Sequence, residues 1–322
     1  MSAVARGVDA ALEATVVGSF SRIGYEVRSR LDHWQAAGGD LAGRTVLVTG
    51  ATSGIGLAAA SRFASLGASV RFLARDDGRA QAARARIMEV GGRGADVSYA
   101  LADVSDFAAL REFAADFSAA NPRLDVLVHN AGALTRDFRR APGGAELTLA
   151  AHVFGPFLLT GLLLPALRRA APGRVVTVSS GGMYTQRLDL GRLEMGPDDY
   201  DGSVAYARAK RAQVVLNREW AERVAAREVV FHAMHPGWAD TPGVQSSLPA
   251  FHRVMGPLLR TPDQGADTVV WLASAPEALA SSGRFWHDRR PRSEHHVPWT
   301  CGGAAGSALW DLCVARTGWQ LP

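Results

Sequence analysis

A doubly wound α/β domain with a mostly parallel sheet, preceded by a helical extension, is predicted by three features of the 322-residue sequence. Strand-like apolar runs alternate with helix-length segments from Arg44 onward. One of those runs breaks into Gly50, Gly54 and Gly56 and then becomes helical. Residues 1–43 follow a helical period rather than that of a strand.

In the extension, Leu12, Val16, Phe20, Ile23, Val27 and Leu31 recur at helical intervals, the apolar face of one amphipathic helix or two. The expectation is a segment packed on the main domain; peripheral contact with a membrane surface is the alternative use of such a face. After Arg44 the runs 45–49, 70–74, 97–101, 126–129, 175–179 and 229–234 read as strands. Their alternation with helices implies repeated βαβ crossovers, hence parallel strands between two helical layers. No second change of composition interrupts 44–290, so one domain is predicted there, with 291–322 as a tail that ends in a short helix over 307–319.

The turn from Gly50 to Gly56 joins the first strand to a helix. Gly50 permits a tight turn, while Gly54 and Gly56 let a pyrophosphate and a neighbouring strand approach backbone without Cβ atoms. Exposed N–H groups at the helix start favour an anion, which makes Thr52, Ser53 and Ile55 candidate cofactor contacts as well. The second strand ends at Ala74-Arg75, where a doubly wound fold meets the adenosine ribose of a dinucleotide. Arg75 offers a fork suited to a 2′-phosphate and no acid stands at Ala74, so NADP is expected rather than NAD. After the third strand, Asp103-Val104 is placed to contact the adenine, with Asp103 accepting from its amino group or else capping the next helix.

Composition excludes several classes. With 48% hydrophobic and 20% charged residues and no long biased tract, the chain is neither disordered nor fibrous. A net charge of +4 with acids spread throughout reads as a solvated surface, not a nucleic-acid interface. The four arginines of 284–292 are expected on a surface turn. Cys301 and Cys313 lack metal or redox spacing and suit a reducing compartment. No run is expected to span a bilayer and no signal peptide is evident, so a cytoplasmic protein is predicted. His232 and His235 lie on or beside a strand with no third ligand, and His295-His296 lacks a ligand set, so no metal is expected.

Further motifs follow in order: Asn130-Ala131-Gly132 after the fourth strand, Ser179-Ser180 after the fifth, Tyr206-Ala207-Arg208-Ala209-Lys210, and His235-Pro236-Gly237. Together with Thr49-Gly50 and its glycines, this ordered set resembles the short-chain dehydrogenase/reductase family over about residues 44–290. Ser179 to Met183, Met234 to Val244, Gln264 to Thr268, the extension and 285–292 are similar to the branch called dehydrogenase/reductase member 12. The resemblance implies a seven-stranded Rossmann sheet with the cofactor across its carboxyl edge. It also implies that Lys210 bonds the nicotinamide ribose, and that homo-oligomers form through the Tyr206 helix.

Tyr206 and Lys210 are four residues apart on a helical pattern over 204–224, hence one turn apart on one face. An ammonium there favours the phenolate and draws the tyrosine toward useful acidity, while Ser180 would steady a developing alkoxide. In the helical segment 147–169 the family places an asparagine that holds a water of the proton relay; here that position is His152. An imidazole can donate, accept and titrate near neutrality, so it either serves the relay or impairs it. Pro236, Gly237 and Thr241 would meet the nicotinamide carboxamide or the pyrophosphate. The long spacer 181–202 is expected to form part of the substrate wall through Tyr184, Leu188, Leu193, Met195 and Tyr200, or to cover a small core of its own. Residues 244–259 are expected to form an apolar flap. The predicted function is NADP-dependent hydride transfer on a carbonyl or secondary alcohol of a small apolar substrate; the alternative is a dinucleotide-binding sensor or scaffold with poor turnover at His152.

Overall fold

The computed structural model describes residues 3–35, 39–132, 134–296 and 305–322. The extension forms three helices, α1 (Ala3–Glu13), α2 (Val16–Phe20) and α3 (Arg22–Leu31), rather than one or two. The chain breaks at Thr15, whose Oγ1 accepts the Gly18 N–H, and again at extended Ser21. Each break rotates the apolar face. Phe20 is therefore buried, while Val16 and Ile23, expected beside it, are 55% and 46% exposed.

The first half of the domain runs β1 (Thr45–Thr49), α4 (Gly54–Ser65), β2 (Ser69–Ala74), α5 (Asp77–Gly91), β3 (Val97–Leu101), α6 (Phe107–Ala120) and β4 (Val126–His129). Next come α7 (Leu147–Leu149), a π-helical turn (Ala150–Phe154), α8 (Gly155–Arg168), β5 (Gly173–Val178), α9 (Gly202–Arg223) and β6 (Val229–Met234). The chain ends through α10 (Pro242–Ser247), α11 (Pro249–Met255), α12 (Pro262–Ser274), β7 (Arg284–His287), β8 (Arg290–Pro291) and α13 (Gly306–Thr317). The sheet order is β3-β2-β1-β4-β5-β6-β7-β8, parallel as far as β7. The order reverses between β1 and β4, which opens a crevice at the carboxyl edge.

The sheet has eight strands, not the expected seven. Asp288 and Arg289, with φ of 53° and 56°, turn the chain into the antiparallel β8. Asp is common at the first of these positions but Arg is not at the second, so the hairpin leaves little trace in the sequence. Nor is 284–292 a surface turn: Asp288 is buried, and the Arg289, Arg290 and Arg292 side chains are mostly covered by ion pairs.

Strand alternation divides the core into two layers. Leu47, Leu127, Val175 and Phe231 pack toward Phe154, Phe157, Trp220 and Trp310 under α6, α8, α9 and α13. Val46, Val48, Phe72 and Val128 pack toward Phe63, Ile87 and Val269 under α4, α5 and α12. Full burial of one such side chain contributes about 1.5–3 kcal/mol. The segment Leu147–Arg168 is, contrary to expectation, long and apolar enough to cross a membrane, but most of it is buried as a core helix of this domain. The spacer 181–202 also turns inward: Tyr184, Leu193 and Met195 are buried. Tyr200 Oη is hydrogen-bonded to Thr135 and Thr148 at 2.5 and 2.9 Å. These residues cover core of their own, one of the two uses expected of the spacer. The spacer's Gln186, Arg187, Asp189 and Arg192 line a surface cavity with Arg208.

Candidate active site

The end of β1 and the start of α4 form a cradle that side chains would fill. Gly50 has φ +69°, and a Cβ there would lie 2.7 Å from the Ala131 Cα. A Cβ on Gly56 would fall 2.3 Å from both the Gly50 carbonyl and Asn130 Nδ2, so Gly56 is needed for the packing of the turn itself. Asn130 ties β4 to that turn: its Nδ2 donates to the Thr49 and Gly50 carbonyls at 3.2 and 3.0 Å, and Thr49 Oγ1 accepts the Asn130 and Ala131 amides. Ser53 stands at the N-cap of α4 without a side-chain capping bond, whereas Asp76, Asp106 and Asp201 cap α5, α6 and α9. Helix α4 thus begins with N–H groups that its own cap leaves for an anion. Thr52 and Ile55 flank this start, and the Thr241 side chain closes on Gly54, 3.0 Å from the position of a Cβ. A dinucleotide pyrophosphate fits this arrangement.

At the end of β2, Arg75 is exposed and pairs with Asp103 at 3.5 Å. Asp103 Oδ1 accepts both the amide and the hydroxyl of Ser105 at 2.8 Å, while Asp106 caps the following helix. The Asp103 carboxylate therefore shapes its own turn, and the Val104 carbonyl after it lies against Gly155.

Ser180, Tyr206 and Lys210 converge where β5 ends beside α9. Ser180 stands close enough to the Tyr206 phenol to favour its ionised form, and Lys210 Nζ lies 5.4 Å from the centre of the tyrosine ring. Burial pushes the Tyr206 phenol above its ordinary value, and Ser180 opposes that rise. In the cofactor-free protein, burial thus outweighs the favouring of the phenolate expected from Lys210. Lys210 is itself buried, donates to the Val178 carbonyl at 2.8 Å, and is pushed down to about 7 by burial. Ser179 completes the junction by donating to the Lys210 carbonyl at 3.0 Å.

His152 sits in the π-helical turn, with its ring perpendicular to that of Tyr206 at 5.3 Å. Gly132 is the floor beneath it: a Cβ there would lie 2.0 Å from His152 Cε1. The turn widens the backbone, and Gln213 Nε2 donates to the His152 carbonyl at 2.8 Å. Sequence reasoning missed Gln213, which reads as an ordinary helix residue. It also missed that Lys210 is the only lysine in the chain. With every other long cation an arginine, that singularity was visible in the composition.

On the far side, Pro236 and Gly237 follow β6, and Thr241 caps α10 by accepting the Val244 amide at 3.3 Å. The expected flap is α10, α11 and the turn after them. It reaches across to the loop after β4: Arg136 donates to the Ser246 carbonyl at 2.9 Å and Ser247 to the Leu134 carbonyl at 3.2 Å. Leu248 and Val254 remain 38% and 76% exposed. Among the described residues no group of three His, Cys, Asp or Glu side chains could hold a metal. His232 accepts from Trp286 Nε1 at 3.0 Å and pairs with the Ala278 carbonyl at 2.9 Å. Cys313 is a buried free thiol; Cys301 lies outside the described residues.

A crevice at a doubly wound switch point, flanked by a glycine cradle and a Ser–Tyr–Lys cluster, defines an oxidoreductase that binds a nicotinamide dinucleotide. The profile of the short chain dehydrogenase family matches residues 44–250, and the chain belongs to that family. Dehydrogenase/reductase SDR family member 12 of Homo sapiens is 41% identical over 254 residues, 79% of each chain. Retinol dehydrogenase 14 of Mus musculus is 31% identical over 97% of this chain and 98% of its own. Among solved structures, an uncharacterized protein from Mycobacterium Paratuberculosis superposes with a TM-score of 0.72 at 27% identity, covering 90% of this chain and 99% of that one. The Pseudomonas aeruginosa RhlG/NADP active-site complex superposes with a TM-score of 0.63 at 26% identity, covering 76% and 94%.

Proposed function

We propose that the protein is an NADP-dependent oxidoreductase acting on a carbonyl or secondary alcohol of a small apolar molecule, with Tyr206 as the acid/base. The observation that carries this reading is the meeting of Ser180, Tyr206 and buried Lys210, whose Nζ lies 5.4 Å from the tyrosine ring, at the edge of the glycine cradle. The bound nicotinamide supplies or accepts the hydride. Ser180 orients the substrate oxygen, and the Tyr206 phenol gives that oxygen its proton during reduction. Lys210, pushed down to about 7 by burial, would be favoured as the ammonium beside an anionic cofactor and would then favour the phenolate.

Arg75 supports NADP because its guanidinium is exposed at the β2 edge, where a 2′-phosphate would replace the long contact with Asp103. The exposed Leu248 and Val254 of the flap support an apolar substrate, as do the relatives named for retinol. The His152 ring, perpendicular to that of Tyr206 at 5.3 Å, supports a part for the imidazole in the relay. The expected cytoplasmic location is retained in this reading. Val4, Val16 and Val17 are exposed on the extension and support peripheral membrane contact, which flotation with anionic vesicles would check.

Tyr206→Phe tests the enzyme reading against a sensor. Turnover of a panel of apolar ketones should fall by about 10²–10⁴, with NADPH affinity within about twofold. Retention of turnover in Tyr206→Phe would sink the assignment, and undiminished NADPH binding by a wild-type protein inert to the whole panel would favour the sensor.

A further inference from the structure

The extension grips the molecule through buried charge. Arg28 is fully buried: its Nε donates to Asp9 at 2.7 Å, Nη1 to Asp288 at 2.7 Å and to the Ser19 carbonyl at 3.2 Å, and Nη2 to Glu13 at 2.9 Å. Asp288, in the β7–β8 turn, is shared with a second buried guanidinium, Arg260, at 2.6 and 2.9 Å. Arg290 and Arg292 complete the cluster on Asp9, and Arg290 also pairs with Asp32. Four arginines thus meet four carboxylates. Burying charge this way is an inefficient source of stability, but it fixes geometry closely.

The geometry it fixes lies beside the cofactor loop. Three consecutive carbonyls leave the end of α2. That of Ser19 accepts Arg260 Nη2 at 2.9 Å, that of Phe20 accepts the Trp238 amide at 2.7 Å, and that of Ser21 accepts Arg260 Nε at 3.1 Å. Arg260 Nη1 also reaches the Pro236 carbonyl at 3.4 Å, and its backbone amide donates to the Trp238 carbonyl at 2.8 Å. Gly237 has φ +75°, and a Cβ there would lie 2.2 Å from Arg260 Nε, so the loop is wrapped closely around this guanidinium. The Phe20 ring packs 4.3 Å from His235 and 5.9 Å from Trp238; a Cβ on Gly181, next to Ser180, would come within 2.9 Å of it.

We infer that the amino-terminal helices are a positioning element of the cofactor site. The Ser19, Phe20 and Ser21 carbonyls, held in place by Arg28 on Asp288, fix the 236–238 loop in the conformation that receives the nicotinamide half of the cofactor. This rests on the oxidoreductase reading above. Arg28 and Phe20 touch no reacting atom and act through Trp238 and Arg260.

The test compares Arg28→Met and Arg28→Lys with Arg22→Met, which removes only an exposed pair with Glu26 on the same helix. In cofactor-free Arg28→Met the Trp238 amide should exchange hydrogen about tenfold faster or more, while the exchange of sheet amides stays unchanged. NADPH should bind about tenfold more weakly, while adenosine 2′,5′-bisphosphate, which lacks the nicotinamide half, binds as before. Arg28→Lys should recover part of both effects and Arg22→Met should show neither. If Arg28→Met does not fold, Asp288→Asn, which keeps its shape and loses the charge, is read in the same way. Faster Trp238 exchange with unchanged NADPH affinity, or equal weakening of NADPH and the bisphosphate, would overturn the inference. Wild-type protein that binds neither NADPH nor NADH would overturn the oxidoreductase reading itself; wild-type and Arg28→Met binding NADPH equally would overturn only the inference.

Discussion

Lys210 shows how one residue type becomes a site through its surroundings. An ammonium on the surface titrates near 10.4, and burial against the Val178 carbonyl brings this one down to about 7. Because the chain has no other lysine, side-chain labelling of lysine gives a single NMR resonance. Its titration midpoint in cofactor-free protein is expected near 7, rising when NADPH brings its phosphates nearby; a midpoint near 10 would show Lys210 solvated. Arg75 carries the corresponding residue-scale prediction for the cofactor. Arg75→Ala should cost NADPH about tenfold in affinity through one charge-assisted contact and leave NADH nearly unchanged, as read by nicotinamide fluorescence. Equal effects on both would remove Arg75 from the ribose contact. The lysine was legible from sequence because its type is chemically specific and its tyrosine stands one helical turn away. The work of Ser180 on the Tyr206 phenol was not, since it depends on which atoms meet after β5 and α9 are packed.

At the scale of elements, the π-helical turn and α13 are the informative parts. A helical period cannot reveal one extra residue in a turn. That residue presents the His152 ring to Tyr206 and turns its carbonyl to Gln213. Helix α13 was legible as a helix but its seat was not. Trp310 packs edge-on to Phe157 at 4.9 Å and to Trp220 at 4.7 Å, and Trp319 lies 5.5 Å from both rings. Trp310→Ala is expected to cost about 3–5 kcal/mol, measured as a lower urea midpoint with an unchanged slope. Helix α13 occupies the face of α9 that carries Trp220, so self-association through that face requires its displacement. A chain ending before residue 305 should therefore associate in light scattering, where the full chain does so less or not at all.

For the whole molecule, buried histidines set the response to acid. Burial holds His129 and His235 down to about 3 and His232 to about 4, and keeps His287 well below its ordinary value. The unfolded chain protonates these rings below about 6.5 and the folded chain does not, so stability falls as pH drops from 6.5 toward 4. Lys210 acts in the same direction between about 10.4 and 7. Asp9 and Asp288, held below the usual carboxylate range by their arginines despite burial, add a further loss under stronger acid. Unfolding free energy without cofactor should accordingly be highest on the alkaline side of neutrality and decline below pH 6 by up to about 1.4 kcal/mol per pH unit for each buried histidine. A flat profile between pH 8 and 5 would show these rings solvated.

The sequence by itself determined the order of strands and helices, the glycine turn and the Tyr206–Lys210 pair. Each is written in local periods and in residue types that allow few conformations. Tertiary structure alone decided where the extension rests, that 284–292 is an interior clamp and that the spacer 181–202 turns inward. Those outcomes depend on ion pairs such as Arg28–Asp288, whose partners stand 260 positions apart, and a pairing over that separation has no period to betray it.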